Sequence, residues 1–256
     1  MTTIQAIFLG LLQGLTEFLP VSSSGHLIVF QNFFGIEEPM LTFNIFLHLG
    51  TLLAVLVVFA KDIWTLLRRP FCREVALLII ATIPVALAGI FFEDYVTGIF
   101  SSTLSVGIAL IVTGAMMYIS DRFYGHRSIK DLPFSNALIV GIFQGVAILP
   151  GISRSGSTIF ASLFCGMERA QAARFSFLLS IIAILGASGK ESIDLIKSTG
   201  GLHLEQFYFV GMAAAAISGF FAIKFFLNLL KKNNMKFFAF YCWIFAAITI
   251  VWSLVK

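Results

Sequence analysis

Charged residues are scarce in this chain of 256 residues: they make up 12% of it, whereas hydrophobic residues make up 59%. A soluble domain carries roughly a quarter of charged residues, and no polar stretch here is long enough to form one. Long uncharged runs instead recur from one end of the sequence to the other. They indicate a polytopic membrane protein, and we expect no nucleic-acid partner.

Cysteine is also rare, with three residues at Cys72, Cys165 and Cys242. They show no CxxC or Cys/His spacing, so neither a cysteine metal centre nor a disulfide framework is predicted. The first residues lack the basic segment and the small-residue cleavage site of a secretory signal. We therefore expect no cleavable signal peptide.

Six uncharged runs are long enough to span a bilayer. In lipid, such open and non-alternating runs form helices, so the fold class is predicted to be an all-α polytopic membrane protein. The predicted spans are Leu41–Ala60, Val75–Phe92, Leu104–Ser120, Ala172–Gly189, Phe207–Leu230 and Phe238–Val255.

Two further apolar segments are interrupted by a proline and a Ser/Gly cluster, at Pro20 and at Pro150. Each apolar arm is too short to cross about 30 Å of hydrocarbon at about 1.5 Å per residue. We predict two re-entrant helix-loop-helix hairpins, over residues 4–34 and 137–167. Protein or a water-filled cavity must cover their irregular backbone. The arms are Ile4–Leu19 and Leu27–Phe34 in the first hairpin, and Ala137–Leu149 and Ile159–Met167 in the second.

The two hairpins are copies of each other, since LPVSSSGH at 19–26 resembles LPGISRSG at 149–156. Each hairpin is followed by three spans, and because three is odd the second copy starts on the opposite side of the membrane. The sequence thus predicts a single membrane domain, 1–256, with an inverted repeat formed by 1–120 and 137–256. An offset of 131 pairs Gln13, Ser22, Ser24 and Gly25 with Gln144, Ser153, Ser155 and Gly156.

The distribution of basic residues predicts the orientation of the chain in the membrane. In the proposed topology, thirteen of the seventeen Lys and Arg residues fall on one side, three on the other, and Arg154 on neither. By the positive-inside rule this places both termini and the first hairpin outside. The inside group includes the cluster Lys224, Lys231, Lys232 and Lys236, whereas the loop Glu93–Thr103 has no basic residue.

Two charged residues lie in the hairpins rather than in loops, Glu17 in the first and Arg154 in the second. Ionisable groups at membrane depth are rare and usually functional. A structural ion pair that clamps the repeats is the plain alternative, but the surrounding polar cluster is larger than one pair requires. Gln13, four residues before Glu17, shares its helix face.

Each turn carries small polar residues before a returning helix, and helix N-termini of this kind bind anions. The guanidinium of Arg154 suits phosphate oxygens. An anion beside Glu17 would need a bridging cation, usually Mg²⁺. His26 is a candidate nucleophile, general acid or general base. His48, in an ordinary span, is expected only to be satisfied by a neighbouring helix.

QGLTEFLPVSSSGH and LPGISRSGST resemble the two signature regions of the bacterial undecaprenyl pyrophosphate phosphatases of the bacitracin-resistance type. The resemblance covers the whole chain. It implies hydrolysis of undecaprenyl pyrophosphate to undecaprenyl phosphate and inorganic phosphate, which recycles the lipid carrier of cell-wall synthesis. It also implies a divalent cation, Mg²⁺ or Ca²⁺, and a multi-pass protein of the bacterial inner membrane.

The family pattern also suggests residue roles. Glu17 corresponds to the essential acid, Gln13 to its more variable partner, and both are candidate metal ligands. Many relatives have a second Glu where this chain has Gln13, which weakens any mechanism that needs two carboxylates on one metal ion. The catalytic candidates are Glu17, Ser23, His26 and Arg154, and the substrate-binding candidates are Gln13, Ser22, Ser24, Gly25, Ser153, Arg154, Ser155, Gly156 and Thr158.

Several alternatives stay open. The nucleophile can be Ser23, His26 or water. Inverted repeats with broken helices are also transporter architecture, so a flippase of undecaprenyl phosphate, alone or combined with the phosphatase, is the second hypothesis. A scaffolding membrane protein is the third. A homodimer is a further hypothesis.

Overall fold

The chain is described by a computed structural model that covers residues 1–36, 40–92, 102–199, 204–230 and 234–255. Within these ranges the regular structure is helical, apart from an isolated β-bridge between Arg127 and Met167. A short 3₁₀ turn, Ile129–Asp131, joins the two halves. The helices are α1 (Thr3–Phe18), α2 (Ser23–Phe33), α3 (Leu41–Val58), α4 (Ala60–Arg68), α5 (Arg73–Phe91), α6 (Thr103–Ser120), α7 (Phe134–Val146), α8 (Arg154–Phe164), α9 (Arg169–Thr199), α10 (Gln206–Leu230) and α11 (Lys236–Val255).

The six predicted spans are confirmed as helices long and apolar enough to cross a membrane: α3, α5, α6, α9, α10 and α11. Helix α9 is longer than predicted, with 31 residues. Most of the loop Glu93–Thr103, together with Lys231, Lys232 and Lys256, lies outside the described residues. The orientation of the termini therefore stays a prediction.

The broken segments form two pairs of shorter helices, with 16 and 11 residues in α1 and α2. The second pair, α7 and α8, has 13 and 11 residues. Even α1 is only about 24 Å long, which is short of the hydrocarbon thickness. The lengths support the re-entrant hairpins, whose depth in a bilayer stays a prediction.

Most of the additional helix α4 lies between the first two predicted spans, where the sequence predicts no span. Charged residues at this membrane end are held together, because the Arg174 Nε donates to the Asp62 carboxylate at 2.7 Å and its Nη2 lies 3.5 Å from Glu74. The run is too polar to count as a membrane span, so a search for long apolar runs missed α4, although its apolar residues recur with a helical period.

Two helix contacts bear on the repeat, which stays a prediction. Helix α1 of the first half packs on α10 of the second, and α7 of the second packs on α5 of the first. Glycines 131 residues apart allow both approaches: a Cβ on Gly10 would lie 2.3 Å from the Gly211 carbonyl oxygen, and one on Gly141 would lie 2.6 Å from that of Ala81. Two halves related by a twofold exchange would produce these matching contacts, which supports the repeat.

Candidate active site

The two polar turns are built alike. The hydroxyl of Ser22 caps α2 by accepting from the Gly25 N–H at 3.3 Å, and that of Ser153 caps α8 by accepting from the Gly156 N–H at 3.1 Å. Serine is a favoured capping residue because its oxygen satisfies a free N–H of the first turn. The same residue type therefore caps both helices, at two positions 131 residues apart in the sequence.

The turns also contact each other. A Cβ on Gly25 would lie 3.2 Å from the Cα of Gly151, and one on Gly156 would lie 3.3 Å from the Cβ of Pro20. The Ser155 hydroxyl donates to the Leu19 carbonyl oxygen at 3.1 Å and joins the two turns directly. The two turns are therefore closely packed, and a Cβ at either glycine would make a tight contact.

This contact brings together the two charged residues of the hairpins, Glu17 and Arg154. The Arg154 Nη2 donates to Glu17 Oε1, and the two side chains are 17% and 5% exposed. The other carboxylate oxygen, Oε2, accepts from the Gln13 Nε2 at 2.9 Å and from the Ser23 hydroxyl at 2.6 Å. Glu17 is thus the centre of a buried polar cluster drawn from both hairpins.

His48 joins this cluster, although the sequence did not single it out as a site residue. Its Nδ1 lies 3.0 Å from the Gln13 Nε2 and 3.7 Å from Glu17 Oε2. The expectation that a neighbouring helix satisfies His48 is confirmed, but that helix is α1 and the partner is Gln13. The available signal was the rarity of an ionisable residue within a span.

His26 lies apart from the carboxylate. Its Nδ1 is 2.8 Å from the Ser22 carbonyl oxygen and its Nε2 is 2.8 Å from the Tyr241 hydroxyl. Because a carbonyl only accepts, Nδ1 carries the proton and Nε2 accepts from Tyr241. The ring stacks on Phe245, with centroids 4.1 Å apart. In this arrangement both ring nitrogens are engaged, and Ser23 is the candidate nucleophile in contact with Glu17.

A cavity of about 660 Å³ opens beside the cluster, a volume suited to a small-molecule ligand. Its polar end is formed by Glu17, His48 and Arg154 with four serines of the two turns, Ser22, Ser23, Ser24 and Ser153. Its walls include apolar residues of α5 and α9, such as Val85 and Ile182. The cavity therefore joins the Glu17–Arg154 pair to a largely apolar wall, which also includes Lys190 and Glu191 of α9.

The predicted substrate-binding residues divide into two groups. Those that line the cavity are Ser22, Ser24, Ser153 and Arg154. The remainder support the lining: the Thr158 hydroxyl, for example, bonds with that of Ser176 at 2.7 Å, between α8 and α9. This second group consists of Gln13, Gly25, Ser155, Gly156 and Thr158.

Two polar atoms of the cluster are buried and have no hydrogen-bond partner among the described residues. They are Nη1 of Arg154 and Oε1 of Gln13. Buried polar atoms are nearly always paired in folded proteins. A free guanidinium nitrogen next to a cavity is therefore a sign that a ligand supplies the missing acceptor.

The cluster fits a divalent cation only in part. Glu17 and the free Oε1 of Gln13 are oxygen donors of the kind that Mg²⁺ prefers, but the described residues contain no group of three His, Cys, Asp or Glu side chains that could hold a metal ion. Mg²⁺ commonly takes one or two protein ligands and completes its shell with phosphate oxygens and water. The two donors fit such a shared site.

We expect His48→Ala to lower turnover roughly tenfold, because Gln13 loses a partner that fixes it against Glu17. His48→Gln, whose amide oxygen can accept the same hydrogen bond, should restore most of the activity. Steady-state hydrolysis rates and thermal unfolding of the three proteins give the comparison. If His48→Ala turns over as fast as wild type, His48 does not contribute to the activity of the site.

Comparisons with known proteins agree with this geometry. The family described as "Bacitracin resistance protein BacA" matches residues 6–248. An "Undecaprenyl-diphosphatase" of Halothermothrix orenii is 45% identical over 260 residues, which cover 98% of each chain. Proteins of the same name from Carboxydothermus hydrogenoformans and Alkaliphilus metalliredigens are both 44% identical, over 98% and 99% of this chain and 97% and 100% of theirs. The resemblance seen in the two signature regions is thus confirmed over nearly the whole sequence, and the chain belongs to the bacitracin resistance protein BacA family.

Proposed function

We propose that this protein is an undecaprenyl-diphosphatase, which hydrolyses undecaprenyl diphosphate to undecaprenyl phosphate and inorganic phosphate. The observation that carries the proposal is the buried Glu17–Arg154 pair at the polar end of a cavity with apolar walls. A prenyl diphosphate likewise has a charged head group, which suits the polar end, and an apolar chain, which suits the apolar walls. The names of the relatives support the assignment, and none of those reported above names a transporter.

A purely structural ion pair explains the cluster less well. Buried ion pairs are stable when hydrogen bonds satisfy their remaining polar atoms. Here the Nη1 of Arg154 is buried without a partner among the described residues, and both charged side chains line the cavity. The free half of the guanidinium is therefore suited to a phosphate oxygen, which it would bind in its planar fork geometry.

Substrate binding follows from the shape of the cavity. Arg154 and the N–H groups at the capped starts of α2 and α8 hold the negative charge of the diphosphate. The apolar walls from α5 and α9 take the first isoprene units. The rest of the long tail stays in the surrounding lipid, so the reaction needs no aqueous transfer of the chain.

Proton transfer is the task of Glu17. Its Oε2 accepts the hydrogen bond of the Ser23 hydroxyl at 2.6 Å, which is a suitable distance for a general base. Ser23, or a water molecule in its place, then attacks the terminal phosphorus, the P–O–P bond breaks, and the lipid monophosphate leaves. If Ser23 attacks, a water molecule subsequently releases phosphate from the serine. The engaged nitrogens of His26 favour these two nucleophiles over the imidazole.

Divalent cation dependence belongs to the proposal. Glu17 and Gln13 would hold Mg²⁺ or Ca²⁺, and the ion, when bound, would neutralise negative charge on the diphosphate. The protein groups have two further roles. Arg154 orients the substrate, and the polar turns replace the hydration shell of the diphosphate. Since Gln13 is an amide, it contributes an oxygen ligand without a second negative charge.

The membrane setting completes the proposal. The chain is a multi-pass membrane protein with six helices that could cross the bilayer, and we place it in the bacterial inner membrane with both termini outside. Its partner is the polyprenyl diphosphate lipid. A homodimer stays a hypothesis.

The decisive experiment measures phosphate release from a polyprenyl diphosphate by the purified protein in detergent, with and without Mg²⁺. Wild type should release phosphate in the presence of the ion and lose most activity with EDTA, whereas Arg154→Ala should be inactive. A transporter alone has nothing to release without two compartments. Wild-type protein that binds the lipid but liberates no phosphate would overturn the phosphatase in favour of transport.

A further inference from the structure

One buried polar side chain that lines the cavity has unpaired polar atoms and no role in the mechanism above. Gln144, near the end of α7, is fully buried and lines the cavity. Neither its Nε2 nor its Oε1 has a hydrogen-bond partner within the described part of the chain. A buried carboxamide without hydrogen bonds destabilises a protein. A ligand in the cavity would supply the hydrogen bonds that Gln144 lacks.

The repeat explains why Gln144 lacks a partner. Its counterpart in the first half is Gln13, whose Nε2 donates to Glu17, four residues later on the same helix face. Four residues after Gln144 comes Ile148, which also lines the cavity. The second half has thus kept the amide but not the carboxylate, and the amide borders the cavity with both a donor and an acceptor free.

We propose that Gln144 is an additional substrate-binding residue, whose carboxamide N–H groups contact the diphosphate. This inference rests on the proposed function for the identity of the anion. Arg154 and Gln144 are the two lining residues whose buried side-chain nitrogens lack a hydrogen-bond partner among the described residues. Together they would hold the anion from two sides, Arg154 through its charge and Gln144 through a neutral donor that adapts as the charge moves during the reaction.

The test separates a binding role from a structural one by combining two measurements. Gln144→Leu removes the unpaired amide at nearly constant volume, so the ligand-free protein should unfold about 2–4 °C higher than wild type. The same change should raise KM for the polyprenyl diphosphate roughly ten- to a hundredfold, because a hydrogen bond to a charged group is lost. A merely structural glutamine would not move KM while stability rises.

Inorganic diphosphate serves as a soluble probe of the anion site. It should raise the unfolding temperature of wild type and have a much weaker effect on Gln144→Leu. Gln144→Glu, which replaces the N–H donors with negative charge at the same size, should lose binding further. Gln144→Met provides a second apolar variant of similar length if the branched leucine does not fit.

Gln31→Leu is the matched control. Gln31 donates to Asn44 at 2.9 Å, outside the cavity, so its loss should lower stability slightly and leave KM unchanged. The proposal is overturned if Gln144→Leu keeps the wild-type KM, or if inorganic diphosphate fails to stabilise wild type or stabilises both proteins equally. If diphosphate binds and the binding depends on Gln144 while wild type releases no phosphate, the anion site stands and the proposed reaction fails.

Discussion

Replacing Arg154 by lysine is expected to lower the rate of phosphate release by roughly 10²–10³-fold, although the positive charge is kept. One guanidinium nitrogen is used by Glu17, and the other is buried without a partner among the described residues. Lysine has a single nitrogen on a flexible chain, so it cannot serve the carboxylate and the substrate with the same fixed geometry. Steady-state kinetics with a polyprenyl diphosphate in detergent measures the loss.

Arg68→Lys is the control for this substitution. Arg68 is exposed on α4 and lies over the Trp64 ring, 4.8 Å from its centroid, so the change should leave turnover unaltered. Unfolding temperatures of both variants separate a folding defect from a catalytic one. A kcat and KM of Arg154→Lys close to those of wild type would show that Arg154 is not the phosphate clamp.

Glu17→Gln is expected to reduce turnover by roughly 10²–10⁴-fold, the range that a general base contributes. The amide keeps the size of the side chain but can no longer take the proton of Ser23, which lies 2.6 Å from it. It also leaves the guanidinium of Arg154 without its counter-charge. Turnover measured over a range of Mg²⁺ concentrations tests both roles, because a lost metal ligand raises the concentration of the ion that is needed.

Two further variants make the Glu17 result specific. Glu17→Asp keeps the charge on a shorter chain and should retain more activity than the amide. Glu168→Gln removes an exposed carboxylate outside the cavity and should change nothing. If Glu17→Gln hydrolyses the lipid as fast as wild type, neither the general base nor the metal ligand lies at this position.

The centre of the site was predictable because two independent sequence signals converge on it. The repeat at an offset of 131 fixes which residues of the two turns are equivalent, and the scarcity of charge leaves Glu17 and Arg154 as the buried ionisable pair. Both signals depend on physical requirements of the bilayer rather than on side-chain packing. They therefore predict that the turns meet, which the Gly25–Gly151 approach bears out.

The other contacts of the site depend on how each helix is rotated about its axis. In a membrane protein the lipid-facing and protein-facing positions are both apolar, so the sequence gives little indication of that rotation. His48 contacts Gln13 only because α3 turns that face toward α1. His26 has no carboxylate neighbour because its position on α2 turns it toward Tyr241 of α11. Spacing along the chain placed His26 and Glu17 in one turn, but it could not reveal that their side chains diverge.

The ion pair at the centre of the fold joins residues 137 positions apart, and this separation has a consequence for biosynthesis. A ribosome that adds about 5–20 residues per second finishes Arg154 roughly 7–27 s after Glu17. If the first hairpin entered the hydrocarbon during that interval, its carboxylate would have only the Gln13 and Ser23 donors and no counter-charge, which is unfavourable. The nascent first hairpin should therefore wait at the membrane surface, and insert only when the second half of the chain arrives with the compensating charge.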